Sequence, residues 1–451
     1  MARRAWTDRL RRLGRSRTSH DAFLLFSANS VSRLLGYMRE LLMAAYFATS
    51  AETDAWLMAS IVPNLLIQAL SSALDNVLIP MLVRIQEEAG RLAQREFASE
   101  LFTWLTLLGT LASILLEAAM PVVIHLLAPG FHGSQDRLTV QLARIMMPVF
   151  VFWLWRSVAV GLLQANGVYG PTGWSPIAQN IVRIAALVLL AKTLGIVAAA
   201  IGFAVGTAAQ LTIIVPALIR ADLRIRVRWV RSGRAVGQFF RRAWSAVLAS
   251  LASTGGLIVD RILASTLPVG NIAALNFSAI LVQVPVSLVL GAAITPVFTR
   301  LSVHQARGED RQWRRLVVRL MLAAVGAMAV IAVVIALASQ PLIEIVYRRG
   351  AFQAHSTALT AGMMPYFAAG LPGTALNLIA RKARYSEGNV AAPARWAVVL
   401  VALNIAFDLL LIRPLGGRGL ALGTSLATNI SALGISWGLW RSHGRGRRIP
   451  T

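Results

Sequence analysis

Residues 316–338 read LVVRLMLAAVGAMAVIAVVIALA, with Arg319 near the start as the one charged residue. An α-helix needs about 20 mostly apolar residues to cross the hydrocarbon core of a bilayer. Backbone at that depth must satisfy its own hydrogen bonds, which selects helix over irregular chain. Stretches 101–128, 174–191 and 397–412 carry the same signature, with few or no charges. The whole chain of 451 residues is 57% hydrophobic and 14% charged, with mean hydropathy +0.64. That composition excludes a soluble enzyme, a disordered chain and a secreted disulfide scaffold. The absence of cysteine from the sequence also removes thiolate metal sites and thiol nucleophiles.

Working outward from these stretches gives twelve expected membrane helices, at 22–47, 55–84, 101–128, 141–165, 174–192, 196–219, 243–267, 271–300, 316–340, 357–380, 394–413 and 418–440. The first run is longer than the core of a signal peptide and holds Arg33 in its middle, so it reads as a retained span. Prolines 63, 80, 148, 285, 296, 365 and 372 fall inside these ranges and mark kinks, either of packing or of movement.

Charge sorts by loop. Of 44 basic residues, 32 fall in 1–21, 84–100, 166–173, 220–242, 300–319, 381–395 and 441–451; six fall in the alternate loops and six within spans. Positive loops stay cytoplasmic, so the asymmetry predicts a multi-pass protein of the bacterial cytoplasmic membrane with both termini inside. The formal net charge of +25 therefore records orientation, and no nucleic-acid partner is expected.

The chain repeats itself. IGFAVGT at 201–207 matches RGLALGT at 418–424, and MMP at 146–148 recurs at 363–365. Pro176 matches Pro393, and the pair Pro80 and Arg84 recurs as Pro296 and Arg300. The offsets of 216–217 residues define two halves of six helices each. An even number per half gives both copies the same orientation, a parallel repeat common among transporters. The expected organisation is a basic N-terminus 1–21, an N-lobe 22–219, a linker 220–242, a C-lobe 243–440 and a basic tail 441–451. In the linker Arg224, Arg226 and Arg228 alternate with apolar residues, as expected of chain lying against anionic membrane lipids.

Polar residues inside spans are costly and face a cavity or a partner. Asn29, Arg33 and Glu40 share a face of the first helix, with Arg39 on another. The second helix carries Asn64, Gln68, Asp75 and Asn76, the third Glu117, and the fifth Gln179, Asn180 and Arg183. Asp260 and Arg261 lie in the seventh helix, Asn404 and Asp408 in the eleventh. Two readings of the arginines stand side by side. Arg33, Arg39 and Arg183 hold an anionic substrate group, since guanidinium matches phosphate, or they belong to internal pairs such as Arg33–Glu40 or Arg39–Glu117. Asp260 and Arg261 read as an interfacial pair, Arg144 and Arg156 as snorkelling or interfacial cations. Asp75 and Asp408 are candidates for H+ or Na+ coupling. Gly202, Gly206, Gly419 and Gly423 form small-residue faces for close helix packing. The sequence holds no phosphate loop, no H-E-x-x-H and no G-x-S-x-G, and its six histidines lack metal-ligand spacing. No enzyme activity, cofactor or metal is expected.

SRLLGYMRELLMAAYFATSAETDAWLMASIVPNLL at 32–66 resembles the start of the MurJ/MviN family of the MOP superfamily. APGF at 128–131, DRILASTLPVGNIAALNFSAILVQVP at 260–285, YRRGAFQAHST at 347–357 and GLALGTSLA at 419–427 fit it in order. The resemblance implies an all-α polytopic fold with two six-helix lobes in a MATE-like V. It also implies transport of a polyprenyl-pyrophosphate-linked glycan, lipid II in known members, through a cationic cavity by alternating access. Arg33 and Arg39 match the family's first-helix arginines, and Asp54 its acid at the start of the second helix. With Asn64, Gln68, Asp75 and Arg183 they form the expected headgroup cavity. Glu40, Glu117, Asp260, Arg261 and Asp408 supply coupling or ion pairs, and cell-wall synthesis proteins are the implied partners.

The chain departs from the family pattern where arginine is expected after PNLL and in the eighth helix: Ile67, Gln68 and Ile280 stand there, with Gln283 in place of a nearby acid. Twelve helices stand where the family has fourteen. These departures open two alternatives, another MOP-type exporter of a polysaccharide precursor or a drug-like cation, and a non-transporting scaffold of an envelope-synthesis complex.

Overall fold

Apolar runs of this length become helices, and the computed structural model is helical throughout, with no strand among its described residues, 27–227, 233–389 and 391–444. The basic segment 1–21, Arg228 in the linker and the tail from 445 lie outside them. Helix α1 runs over 27–47. There follow α2 (Ala51–Ala59), α3 (Ile61–Ala73), a π-helical turn (Leu74–Leu78), α4 (Ile79–Leu127), α5 (Ser134–Met146), α6 (Pro148–Ala165), α7 (Gly170–Leu194), α8 (Val197–Ala209) and α9 (Leu211–Arg220). After the linker come α10 (Arg234–Ser265), α11 (Asn271–Pro285), a second π-helical turn (Val286–Leu290), α12 (Gly291–Ala306) and α13 (Asp310–Leu337). The chain continues with α14 (Ser339–Tyr347), α15 (Ala354–Ala361), α16 (Met364–Ala368), α17 (Leu371–Ser386), α18 (Ala391–Leu415) and α19 (Gly417–Gly444). Among the described residues, seven helical runs are long and apolar enough to cross a membrane.

Several expected spans are interrupted rods, and proline is the reason. It has no N–H to donate and is tolerated at the first turn of a helix. The two MMP copies sit at two such breaks: Pro148 opens α6, and Pro365 lies in the first turn of α16. Pro372 does the same for α17. Both π-helical turns adjoin proline, Pro80 just after the first and Pro285 just before the second. A π turn inserts one extra residue into a helix, and each half carries one in its second expected span. The basic loop expected at 84–100 is itself helical, bent back at Gly90, whose φ of 82° suits glycine. The expected linker is also shorter, because α10 already begins at Arg234.

Packing divides the chain into two compact units. Unit 1 comprises Met1–Met43, Met58–His125 and Gly133–Leu251; unit 2 comprises Ala44–Leu57, Leu126–His132 and Ala252–Thr451. The core of unit 1 gathers Leu78, Leu82, Leu101, Leu154 and Leu162. It also takes Leu223 of the linker, and Ile225 packs against it while Arg224 and Arg226 are exposed; the alternation of burial holds to Arg226 and stops at the exposed Val227. The core of unit 2 centres on the fully buried Trp313 with Val317, Ile379, Ala383 and Leu439. Trp313 Nε1 donates to Ser386 Oγ at 3.1 Å, which satisfies the one polar atom of that ring.

Candidate functional site

In unit 1 the intramembrane charges are mainly arginines. The small faces of α8 bring that helix close against α7: a Cβ on Gly202 would lie 2.8 Å from Ala186 Cβ, and one on Gly206 2.9 Å from the Arg183 stem. Arg183 is thereby held against α8, with its guanidinium 4.4 Å from the Phe203 ring centroid. Arg39 and Glu40 of α1 share its electrostatic surroundings. Arg39 pairs with Glu40, its chain neighbour. This differs from the expected Arg33–Glu40 and Arg39–Glu117 pairs. Glu117 is exposed, and its backbone carbonyl accepts from Arg144 Nε at 3.2 Å. Arg33 and Asn29 lie on an exposed face of α1, and Arg33 has no ion-pair partner among the described residues. Asn180 Nδ2 donates to both the carbonyl and the hydroxyl of Ser32 at 3.1 Å, which fixes α7 against α1 next to Arg33. Gln179 Nε2 donates to Thr207 Oγ1 at 3.0 Å. On the second expected span Asn64 is half-buried while Gln68 and Asp75 are exposed, and Asp75 sits within the π turn.

Arg156 corrects the sequence reading. It turns inward, donates to Ser175 Oγ at 3.4 Å and interacts electrostatically with Asp75. Its Nε is buried without a hydrogen-bond partner. The signal available in the sequence was its place one residue after Trp155 in a run otherwise free of charge, which argues against a helix-end position.

In unit 2 the intramembrane charges are mainly carboxylates. Asp54 in the first turn of α2 accepts from the backbone N–H of Gly270 at 2.6 Å and of Ala273 at 2.8 Å. It thus caps the N-terminus of α11, where unpaired donors and the helix dipole favour an anion. Gly270 has φ 90°, and a Cβ there would lie 2.4 Å from the Thr49 carbonyl, so glycine permits the approach. Other segments join at the same place. Ala351 N donates to Ala45 O at 2.7 Å, Thr49 Oγ1 meets Ser356 Oγ at 2.7 Å, and Gly130 N donates to Ser265 Oγ at 3.4 Å. Phe277, Tyr347 and Phe352 cluster there, with ring centroids 5.2–5.7 Å apart.

Deeper in unit 2, Asp408 is fully buried on α18 and accepts from Asn404 Nδ2 at 2.7 Å. The Asp260 carboxyl interacts with it, and each acid presents an Oδ1 with no hydrogen-bond partner among the described residues. Two carboxyls and an amide thus come together in the interior of unit 2. Asp260 therefore meets Asp408, and it also interacts electrostatically with Arg261, which donates to Asn276 Oδ1 at 3.1 Å; the expected Asp260–Arg261 pair is part of a larger group.

The family model described as lipid II flippase MurJ matches residues 43–448. A probable lipid II flippase MurJ of Rhizobium tropici is 28% identical, over 91% of this chain and 78% of that protein. The lipid II flippase MurJ of Burkholderia cenocepacia is 26% identical, over 91% of this chain and 81% of its own. Among solved structures, a lipid II flippase MurJ in an inward closed conformation superposes with TM-score 0.78 at 22% identity, covering 93% of this chain and 87% of that one. An inward-facing MATE multidrug resistance transporter of the MOP superfamily gives TM-score 0.75 at 14% identity, covering 94% and 98%. The all-α MOP-type fold expected from the sequence is therefore the fold found, and this multi-pass membrane chain belongs to the lipid II flippase MurJ family.

Proposed function

We propose that the chain carries a polyprenyl-pyrophosphate-linked glycan of the lipid II class across the bacterial cytoplasmic membrane by alternating access. The supporting observation is the arginine group of unit 1, in a chain whose relatives are named lipid II flippases. Guanidinium groups bind phosphate oxygens through paired N–H donors, and such attraction strengthens away from bulk water. Arg33, exposed and without an ion-pair partner among the described residues, meets the pyrophosphate first. Arg39 exchanges Glu40 for the cargo, and Arg183 supplies the field behind it. Asn64, Gln68 and Asp75 offer hydrogen bonds to the sugar part. Direction comes from H+ or Na+ at Asp260, Asn404 and Asp408, or from membrane potential, worth about 2.3 kcal/mol per charge per 100 mV. In this reading twelve helices cross the membrane with both termini cytoplasmic, where the basic loops meet anionic lipids.

The test is rescue of a bacterium depleted of its own lipid II flippase. Expression of this chain should restore growth and surface exposure of lipid II, and Arg33→Ala should abolish the rescue. An inserted wild-type chain that fails to rescue removes lipid II as cargo. A fully active Arg33→Ala removes Arg33 from the site.

A further inference from the structure

Helix α17 carries three cations close together, Arg381, Lys382 and Arg384, in unequal surroundings. Arg384 is buried and donates to Glu387 at 3.2 Å. Arg381 and Lys382 have no carboxylate partner among the described residues. Lys382 Nζ lies 5.0 Å from the Phe298 ring centroid, a contact that steadies a cation without neutralising it. Both cations line a cavity of about 540 Å³ within unit 2, together with Gln283, Asn377 and Tyr385.

Packing on its other faces sets which way the helix presents these groups. Asn377, Arg381 and Tyr385 recur at a spacing of four, on one face. The opposite face, Ile379, Ala380 and Ala383, is packed into the Trp313 core. On the flank, Gly370 and Gly373 admit α19 so closely that a Cβ on Gly373 would lie 2.2 Å from Asn429 Oδ1. The result is a wall with two positive charges that have no carboxylate partner among the described residues, beside neutral donors and acceptors and the apolar Val286, Leu378 and Leu400. A polyanion that also carries hydroxyl or amide groups matches that chemistry better than a bare halide or a neutral sugar.

We infer that this cavity binds a diphosphate-linked saccharide, with the diphosphate on Arg381 and Lys382 and the saccharide on Gln283, Asn377 and Tyr385. The inference rests on the proposed cargo class, and it gives unit 2 a phosphoanion site built from its own residues.

The experiment uses the full chain in nanodiscs of zwitterionic lipid. Binding of lipid II, of inorganic pyrophosphate and of phosphatidylglycerol is measured for the wild type, for Arg381→Gln/Lys382→Gln and for Gln283→Glu, with thermal melting of each. Loss of two charged hydrogen-bond donors should weaken lipid II and pyrophosphate about tenfold or more. Gln283→Glu keeps the shape and adds a negative charge, so it should weaken both probes in the same order. If the double variant melts early, Gln283→Glu alone decides. Unchanged lipid II binding in stably folded variants overturns the inference. A response of phosphatidylglycerol alone makes a phospholipid headgroup the occupant and overturns it too. If pyrophosphate binds through these residues and lipid II does not bind the wild type, the anion site stands and the lipid II reading falls.

Discussion

The two units place opposite charges inside the membrane. Unit 1 holds Arg39, Arg156 and Arg183, steadied by one glutamate, a serine hydroxyl and a phenyl ring. Unit 2 holds Asp260 and Asp408 beside Arg261, steadied by an amide, with Asp54 at the start of α2 held by backbone N–H groups. The chain repeat gives both halves a small-residue helix packed on its predecessor, α8 on α7 and α19 on α18, and the charge at the contact differs. Gly206 faces the Arg183 stem, whereas Gly423 faces Asp408 Oδ1, where a Cβ would lie 2.4 Å away. One packing device thus presents a cation in one half and an acid in the other. The contrast separates two kinds of helix contact, a cation stacked on a ring in unit 1 and a pair of acids in unit 2.

The largest expected effect breaks the cationic half. Arg183→Ala removes the positive charge behind the proposed pyrophosphate position, so lipid II flipping in proteoliposomes should fall about tenfold. Arg183→Lys should recover only part, because the stacking plane is lost. Flipping at the wild-type rate in Arg183→Ala would erase the contrast. Next comes the acidic half. Asp408→Asn should leave the fold intact and remove the dependence of transport on Na+ or on pH, measured as the rate ratio across an imposed gradient. A retained gradient response would reduce Asp260 and Asp408 to a structural pair.

A smaller effect separates capping from transport. Asp54→Ala strips two backbone donors of their acceptor, and loss of an N-cap costs about 0.5–2 kcal/mol. The melting temperature of the purified protein should drop by a few degrees, and Asp54→Asn should restore much of it. The smallest effect lies outside the membrane. Arg95 donates to Asp222 at 2.6 Å and holds its carboxyl below the ordinary value of 3.8. A depressed carboxylate stabilises the fold above that value and loses its contribution as pH falls through the depressed one. Asp222 is largely exposed, so Asp222→Asn should scarcely change melting at pH 7. It should only flatten the decline in acid.

Much of the fold was legible because hydropathy, loop charge and proline positions each have a direct physical cause in a bilayer. The two MMP copies show this: the same three residues at the same offset end one helix and start another. The electrostatic partners were not legible. Helix spacing placed Arg33 and Glu40 on one face, yet Glu40 pairs with Arg39, because long side chains reach around a helix. Asp260 stands beside Arg261 in sequence and interacts with it, but its second partner, Asp408, lies 148 positions on. Charge alone points Arg156 to an interface, because the serine that receives it lies on another helix. The cavity at Arg381 was hidden for the opposite reason, its cations having been absorbed into a loop count.

The stretches by which this chain is recognised include residues 44–57, 128–131, 269–277 and 347–357, and these meet at the Asp54 cap and the Phe277 cluster of unit 2. Arg156, Arg183, Arg381 and Lys382 fall outside every one of them. The signature is thus mostly a fastening, and two chains can share that fastening whole while differing in what they carry. Sorting such chains by freight calls for reading the cations outside that fastening, Arg33 and Arg39 of α1 among them.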